Sequence, residues 1–292
     1  MLKNKTILIV GAAGSICSAL SRKIAEQKPK KLLLMDNNET GLFDIYEEVK
    51  SECKTEPIIG DIRDREKVEN IFKIYKPDIV FHGAAMKHII MCEKWPLEAY
   101  KINILGTINV SDMAQKYGVK KFIFISSDKA ANPVSVMGKT KKKGEEICLK
   151  ANNKTKFIVV RFGNVMASRG SLLEIWKKQI KENKPLTITD KRMQRYFMGL
   201  YEAVDLILKA SHFGKGGEIF ILDMKDEVLI EDLAKIMIKI SGKDLGVVYI
   251  EKGQGEKLKE ILMTPQERKR SKKINGMWII KNEKNKKSKT KN

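Results

Sequence analysis

Thr6-Ile-Leu-Ile-Val10-Gly11-Ala-Ala-Gly14-Ser15-Ile16-Cys17 decides how the rest of the chain is read. Residues 6–10 form an apolar run that suits a buried strand, a glycine-punctuated turn follows, and residues 18–27 continue with helical periodicity. Glycine at such a turn lets the backbone tighten and lets amides at the helix start approach a pyrophosphate. Gly11, Gly14, Ser15 and Ile16 are therefore the expected diphosphate cradle of a dinucleotide. Asp36 ends the next apolar run, where an acid meets the adenosine ribose hydroxyls. A carboxylate there repels a 2′-phosphate, so NAD is expected in preference to NADP. Cys17 stands where a third glycine would let helix and strand pack closely; being small, it should keep them paired, slightly splayed.

Outward from this turn the same alternation continues. Residues 31–35, 57–59, 79–82, 122–125 and 157–160 read as further buried strands, separated by periodic segments such as 66–75 and 99–117. The pattern predicts an α/β fold, a Rossmann-type doubly wound parallel sheet that binds ligands at the carboxyl ends of its strands. Asp61 and Ile62, after the third strand, are placed to meet the adenine. Ala84 and Ala85, after the fourth, are placed along the cofactor. Beyond Phe162 the rhythm is lost. Helices are expected over 172–182, 201–210 and 230–240, and strands over 219–222 and 247–250. The expected organisation is a dinucleotide-binding domain over 1–162 and a smaller C-terminal substrate-binding lobe over 163–280. That lobe should pack on the first domain rather than fold alone, and 281–292 should be a disordered basic tail.

Of the 292 residues, 42% are hydrophobic and 32% charged, a balance that excludes wholesale disorder. The net charge of +21 comes from Lys spread through most of the chain, with denser runs at 268–273 and from 281 onward. A Lys-rich background is the simpler reading, and weak attraction to anionic surfaces the alternative. No nucleic-acid-binding signature accompanies the charge, so no specific nucleic acid partner is expected. Cys17, Cys53, Cys92 and Cys148 form no C-x-x-C pair. Neither a metal site nor a disulfide framework is expected, and a reducing cytoplasm suits the chain. The run over 6–10 is too short to span a membrane.

Six stretches, in order, carry a family resemblance: Phe81-His-Gly-Ala-Ala-Met-Lys87-His88; Ser126-Ser127-Asp128-Lys129-Ala-Ala-Asn132-Pro133-Val-Ser-Val-Met137-Gly138-Lys-Thr140-Lys141; Arg161-Phe-Gly-Asn164-Val; Arg195-Tyr-Phe-Met198; Gly217-Glu-Ile-Phe-Ile-Leu-Asp-Met224; and Gly255-Glu-Lys-Leu258. Together they resemble the CapD-like polysaccharide biosynthesis proteins, the UDP-N-acetylglucosamine 4,6-dehydratases of the extended short-chain dehydrogenase superfamily. That superfamily takes its base from Tyr-x-x-x-Lys. Here the pair is Met137 and Lys141, and a thioether cannot exchange a proton. The resemblance implies a branch with Met at this place, in which acid–base work passes to a Thr-Asp-Lys triplet. This chain has Ser127-Asp128-Lys129.

The implied reaction is dehydration of a UDP-sugar. Hydride leaves carbon 4 as its hydroxyl loses a proton, the proton on carbon 5 is removed, water departs from carbon 6, the hydride returns there and carbon 5 is reprotonated. Asp128 is expected as acid for the departing water and Lys129 as base at carbon 5. The resemblance further implies that Lys141 holds the nicotinamide ribose, that Asn103 supports the active-site lysine, and that Lys87 and His88 lie at the cofactor–substrate junction. Asn164, Arg195 and Glu256 are expected on the nucleotide-sugar side. Relatives carry Arg-Pro-Gly-Glu-Lys where this chain reads Gly253-Gln254-Gly255-Glu256-Lys257, so one contact to the nucleotide is missing. A homo-oligomer is expected. Rival readings are a nucleotide-sugar epimerase or 5-inverting dehydratase, and a non-catalytic dinucleotide-sensing or polyanion-binding module.

Overall fold

The computed structural model describes residues 2–166, 168–224 and 226–281. Its centre is a nine-stranded sheet. Strands β1 (Thr6–Val10), β2 (Lys31–Asp36), β3 (Thr55–Ile59), β4 (Ile79–His82), β5 (Lys121–Ile125) and β6 (Lys156–Arg161) lie parallel in the order β3-β2-β1-β4-β5-β6. Every residue of β1 and β4 is buried, as a strand covered on both faces requires. Alternation along β1 sorts the two covers. Ile7 and Ile9 pack toward Leu20 and Ile24 of helix α1 (Ser15–Ala25), and Leu8 and Val10 toward Val68 and Phe72 of the later helix over Arg65–Tyr75.

Helices α2 (Glu39–Val49) and α3 (Arg65–Tyr75) connect the first strands. Asn38 and Asp64 cap them, each accepting the N–H three residues on. Between β4 and β5 the chain forms α4 (Ile89–Lys94), α5 (Pro96–Tyr100), a π-helical turn over Lys101–Gly106, and α6 (Thr107–Lys116). The sequence pattern over 99–117 predicts one unbroken helix; the wide turn interrupts it. The hydroxyl of Thr107 donates to Asn103 O, and the Asn103 amide is drawn off to the loop after β4. Such turns cluster at functional sites.

After β5 comes α7 (Val136–Ala151), and after β6 the two-residue strand β7 (Asn164–Val165). The chain beyond residue 162 has two destinations. One part forms a small lobe: α8 (Leu172–Lys181), β8 (Leu186–Ile188), β9 (Gln194–Arg195) and β10 (Phe197–Met198) precede α9. To them are added β12 (Val228–Leu229), α10 (Ile230–Ser241) and β13 (Val247–Tyr249). Trp176, Leu186, Ile188, Met193, Ile230 and Ala234 make the lobe's own core. The other part returns to the main sheet. Helix α9 (Leu200–Phe213) covers the α1 face, and β11 (Glu218–Leu222) adds a parallel strand beside β6.

Helix α11 (Pro265–Lys269) then leads into the antiparallel strands β14 (Ser271–Ile274) and β15 (Met277–Lys281), which end the sheet. The basic run at 268–273 thus lies on a helix end and an edge strand, where Lys discourages further pairing. Of the tail expected over 281–292, Lys281 closes β15 and the remainder lies outside the described residues. No helix among the described residues is long and apolar enough to cross a membrane.

Candidate active site

Gly11 opens the turn after β1 at φ +85°, and a Cβ built on it would stand 2.6 Å from Ala84 N, so only glycine fits against the end of β4. Gly14, the N-cap of α1, offers no side-chain oxygen. The first amides of α1 therefore have no partner within the helix and face outward, together with its positive end. Asp36 braces this turn from the tip of β2. One carboxylate oxygen accepts from Ala13 N and the other from Asn38 N, both at 2.9 Å. Asp61 sits beside it, held below the ordinary carboxylate range chiefly by the Arg63 guanidinium. Ile62 is buried against Gly106 of the π-helical turn. An outward-facing amide turn, opened by Gly11 and Gly14 and otherwise lined by small residues, and an acid at the next strand end fit a dinucleotide diphosphate and adenosine.

Cys17 is accommodated at the end of β4 by Gly83. A Cβ on Gly83 would come within 2.3 Å of its sulfur, so the glycine absent at 17 has its counterpart across the contact. Burial pushes the Cys17 thiol up to about 12, which keeps it neutral.

The loop after β5 holds Ser127, Asp128 and Lys129. Ser127 Oγ and Lys129 Nζ both donate to Asp128 Oδ1, at 2.8 and 3.0 Å. Lys129 Nζ donates also to Asn164 Oδ1 at 3.2 Å. Asp128 is fully buried and its Oδ2 has no hydrogen-bond partner among the described residues, whereas the Lys129 side chain keeps 14% of its exposure. Ser127, Asp128, Lys129 and Asn164 thus form one hydrogen-bonded group, with Lys129 as its outer member.

Met137, Lys141 and Glu145 share one face of α7 at four-residue spacing. Met137 is buried with Cys92 and Ala99, packed by Met86, Ile89 and Val136. Lys141 donates to Ile125 O and lies 4.5 Å from the Phe124 ring centre. Burial lowers its ammonium to about 8, opposed by Glu145. It makes no hydrogen bond to the triplet. Asn103 does not touch it either: the Asn103 amide accepts from Met86 N and donates to Met86 O and Thr140 Oγ1, tying the loop after β4 to the residue before Lys141. Thr107 spends its proton on Asn103 O, so it can only accept from His82 Nε2 at 3.0 Å, which fixes the His82 tautomer. Burial, then Lys141, drives the His82 imidazole down to about 3, so this buried ring stays neutral.

Lys87 and His88 adjoin the loop after β7: Lys87 Nζ donates to Arg169 O, and the His88 ring lies against Gly170. Partial burial lowers both side chains, aided by Arg169 at Lys87 and by Lys87 at His88. Arg195 is buried. Its terminal nitrogens donate to Gln194 O, Lys257 O and Leu258 O, so the guanidinium braces the segment after Glu256. Glu256 closes its own turn on Gly253. Among the described residues neither Arg195 nor Glu256 is hydrogen-bonded to the triplet, and no group of His, Cys, Asp or Glu could hold a metal ion.

Two groups escape the sequence pattern. Arg161 is wholly buried between Glu145 and Glu267, and Ser126 Oγ donates to Glu145 at 2.6 Å. This cluster pins α11 and α7 beneath the loop after β5; the spacing from Lys141 to Glu145 is its one local signal. The second is Arg169, whose contacts cross 154 positions and leave no local signal.

The chain matches the family profile of polysaccharide biosynthesis proteins over residues 7–282. It is 41% identical to the capsular polysaccharide biosynthesis protein CapD of Staphylococcus aureus, covering 91% of this chain and 46% of CapD. It is 38% identical to an inverting UDP-N-acetylglucosamine 4,6-dehydratase of Campylobacter jejuni, covering 90% and 79%. It is 35% identical to a UDP-glucose 4-epimerase of Rickettsia bellii, covering 96% and 84%. Among solved structures, Pen from Bacillus thuringiensis superposes with a TM-score of 0.92 at 36% identity, covering 97% of this chain and 89% of that one. The chain spans about half the length of some curated relatives. With the profile matched over almost its whole length and this sheet beneath it, the chain belongs to the polysaccharide biosynthesis protein family.

Proposed function

We propose that the protein is an NAD-dependent 4,6-dehydratase of a UDP-N-acetylhexosamine, UDP-N-acetylglucosamine being the first candidate. The observation that carries this reading is the Asp128 carboxylate. Ser127 and Lys129 occupy one oxygen, the other is unpartnered, and Met137 stands where a proton-exchanging side chain would otherwise be. Bound NAD would take hydride from carbon 4 and return it to carbon 6. The chain's part is to orient the sugar and move protons. Lys129, the outer member, serves carbon 5. The Asp128 carboxylate, once the substrate opens the Ser127 and Lys129 contacts, takes the proton that the carbon 4 hydroxyl loses as hydride leaves and then delivers it to the hydroxyl leaving carbon 6; the proton that Lys129 removes from carbon 5 is returned there after hydride reaches carbon 6. Asn164 orients Lys129, Lys141 holds the ribose side, and Lys87 and His88 border the sugar.

The 4-epimerase reading, which the Rickettsia relative raises, is weaker. Met137 is packed among Cys92, Ala99 and Met86 and cannot take the proton of the carbon 4 hydroxyl, the task of the Tyr on which an ordinary 4-epimerase relies. Incubation with NAD and UDP-N-acetylglucosamine, followed by mass spectrometry, tests the proposal. A product lighter by one water and carrying a 4-keto group is expected. Neither dehydration nor epimerisation across a panel of UDP- and dTDP-sugars would remove the enzyme reading and leave the non-catalytic one.

A further inference from the structure

The loop leaving β7 doubles back over the glycine turn. Arg169 N donates to Ser15 Oγ at 2.9 Å, and the Arg169 guanidinium donates to Ala13 O. From the other side Lys87 Nζ donates to Arg169 O at 2.6 Å. Gly170 is pressed onto His88: a Cβ there would stand 2.7 Å from Cε1 of the ring. Residues 168–171 therefore cross the crevice from the start of α1 to the turn after β4.

The charge arrangement is unusual. A helix N-terminus attracts anions and disfavours cations, yet a guanidinium is held at Ala13, in the glycine turn just ahead of α1. Its partner there is a neutral carbonyl, and the second cation, Lys87, also donates to a carbonyl. Among the described residues neither has a carboxylate partner. Two cations without carboxylate partners thus border the start of α1 and the strap across it, a charge set that suits an anion, with a planar fork on one side.

We propose that Arg169 is a dinucleotide-retaining residue. In the loaded protein its guanidinium exchanges Ala13 O for the cofactor diphosphate held from below by the Ser15 and Ile16 amides, so that 168–171 straps the cofactor in place. The inference rests on the dinucleotide reading of the glycine turn and adds to it a residue from the far side of the crevice. Anchoring by Ser15 and Ala13 favours the cofactor diphosphate over that of the nucleotide sugar.

The test is binding to the full chain, with NAD, ADP-ribose, adenosine and UDP as separate probes, and the release rate of NAD. A charged hydrogen-bond pair of this kind predicts that Arg169→Ala weakens NAD and ADP-ribose by about 10- to 100-fold, mostly through faster release. Adenosine and UDP should be unchanged, and Arg169→Lys should fall between, because an ammonium lacks the fork. Unchanged NAD release in Arg169→Ala overturns the strap while leaving the dinucleotide site standing. Loss on UDP alone overturns it in favour of the substrate's diphosphate. Equal loss on NAD and adenosine overturns it in favour of a merely structural brace. If the unaltered chain binds no NAD, the dinucleotide reading falls and the strap with it.

Discussion

The Cys17 sulfur occupies the space that a side chain on Gly83 would need, 2.3 Å from where its Cβ would lie. Helix α1 and the end of β4 meet by this exchange of sizes, with the bulk on the helix and the void on the strand. Gly83→Ala should therefore cost about 1–3 kcal/mol from overpacking. Cys17→Ala with Gly83→Ala should recover most of it. Thermal melting of both variants checks this; a single variant as stable as the unaltered protein would contradict it.

Asp36 has two tasks, since its carboxylate holds Ala13 N and Asn38 N as well as facing the expected ribose. Asp36→Ala should weaken NAD, narrow the preference over NADP, and cost about 1–3 kcal/mol through two amides left without acceptors. Calorimetric titration with each cofactor and a melting curve read all three. Equal affinity of the unaltered protein for NAD and NADP would contradict the assigned role.

Lys141 gives stability a pH signature. Burial lowers its ammonium from 10.5 to about 8. Between those values the unfolded chain keeps a proton that the folded protein has lost, so this group's contribution rises with pH there. Its slope is at most ~1.4 kcal/mol per pH unit, and below pH 8 it is flat. Denaturant unfolding of the unaltered protein and of Lys141→Met from pH 7 to about 10 isolates the term. Their difference should shift toward the unaltered protein only above about pH 8. A constant difference would mean that Lys141 is not held as its burial implies.

Glu145 supports Arg161 and Ser126 at once. Glu145→Ala leaves a wholly buried guanidinium with one carboxylate, and should cost about 3–5 kcal/mol in urea unfolding. Glu145→Gln should cost less, because it keeps hydrogen-bonding atoms in place. A loss below about 1 kcal/mol, the size of a surface pair, would show that the cluster does not pin α7 and α11.

Local pattern was enough for elements whose burial is periodic. The strands read at 6–10 and 79–82 match β1 and β4 residue for residue, and the acid at 36 stands at the tip of β2. Pairings made by distant residues were not legible. The β14–β15 hairpin hides behind Lys272 and Lys273, whose charges mask the alternation, and it joins the sheet only through β11. The π-helical turn depends on Asn103 reaching Met86. Arg195 read as an anion ligand from its type and place, whereas its terminal nitrogens are engaged by backbone carbonyls that no local pattern announces. Arg169 reaches Ser15 across 154 positions of sequence, a pairing that no local pattern announces.

On the proposed mechanism the triplet, and not the residue at 137, moves the protons. The most direct measurement is turnover of UDP-N-acetylglucosamine with NAD, followed by mass spectrometry for the unaltered chain, Asp128→Asn and Met137→Leu. A lost acid predicts that Asp128→Asn falls by about 10²–10⁴-fold with NAD binding little changed. Met137→Leu, a swap of similar volume in an apolar contact, should stay within a few-fold of the unaltered chain. Turnover that survives Asp128→Asn and is lost in Met137→Leu would contradict the account, and would assign control of the chemistry to packing around position 137.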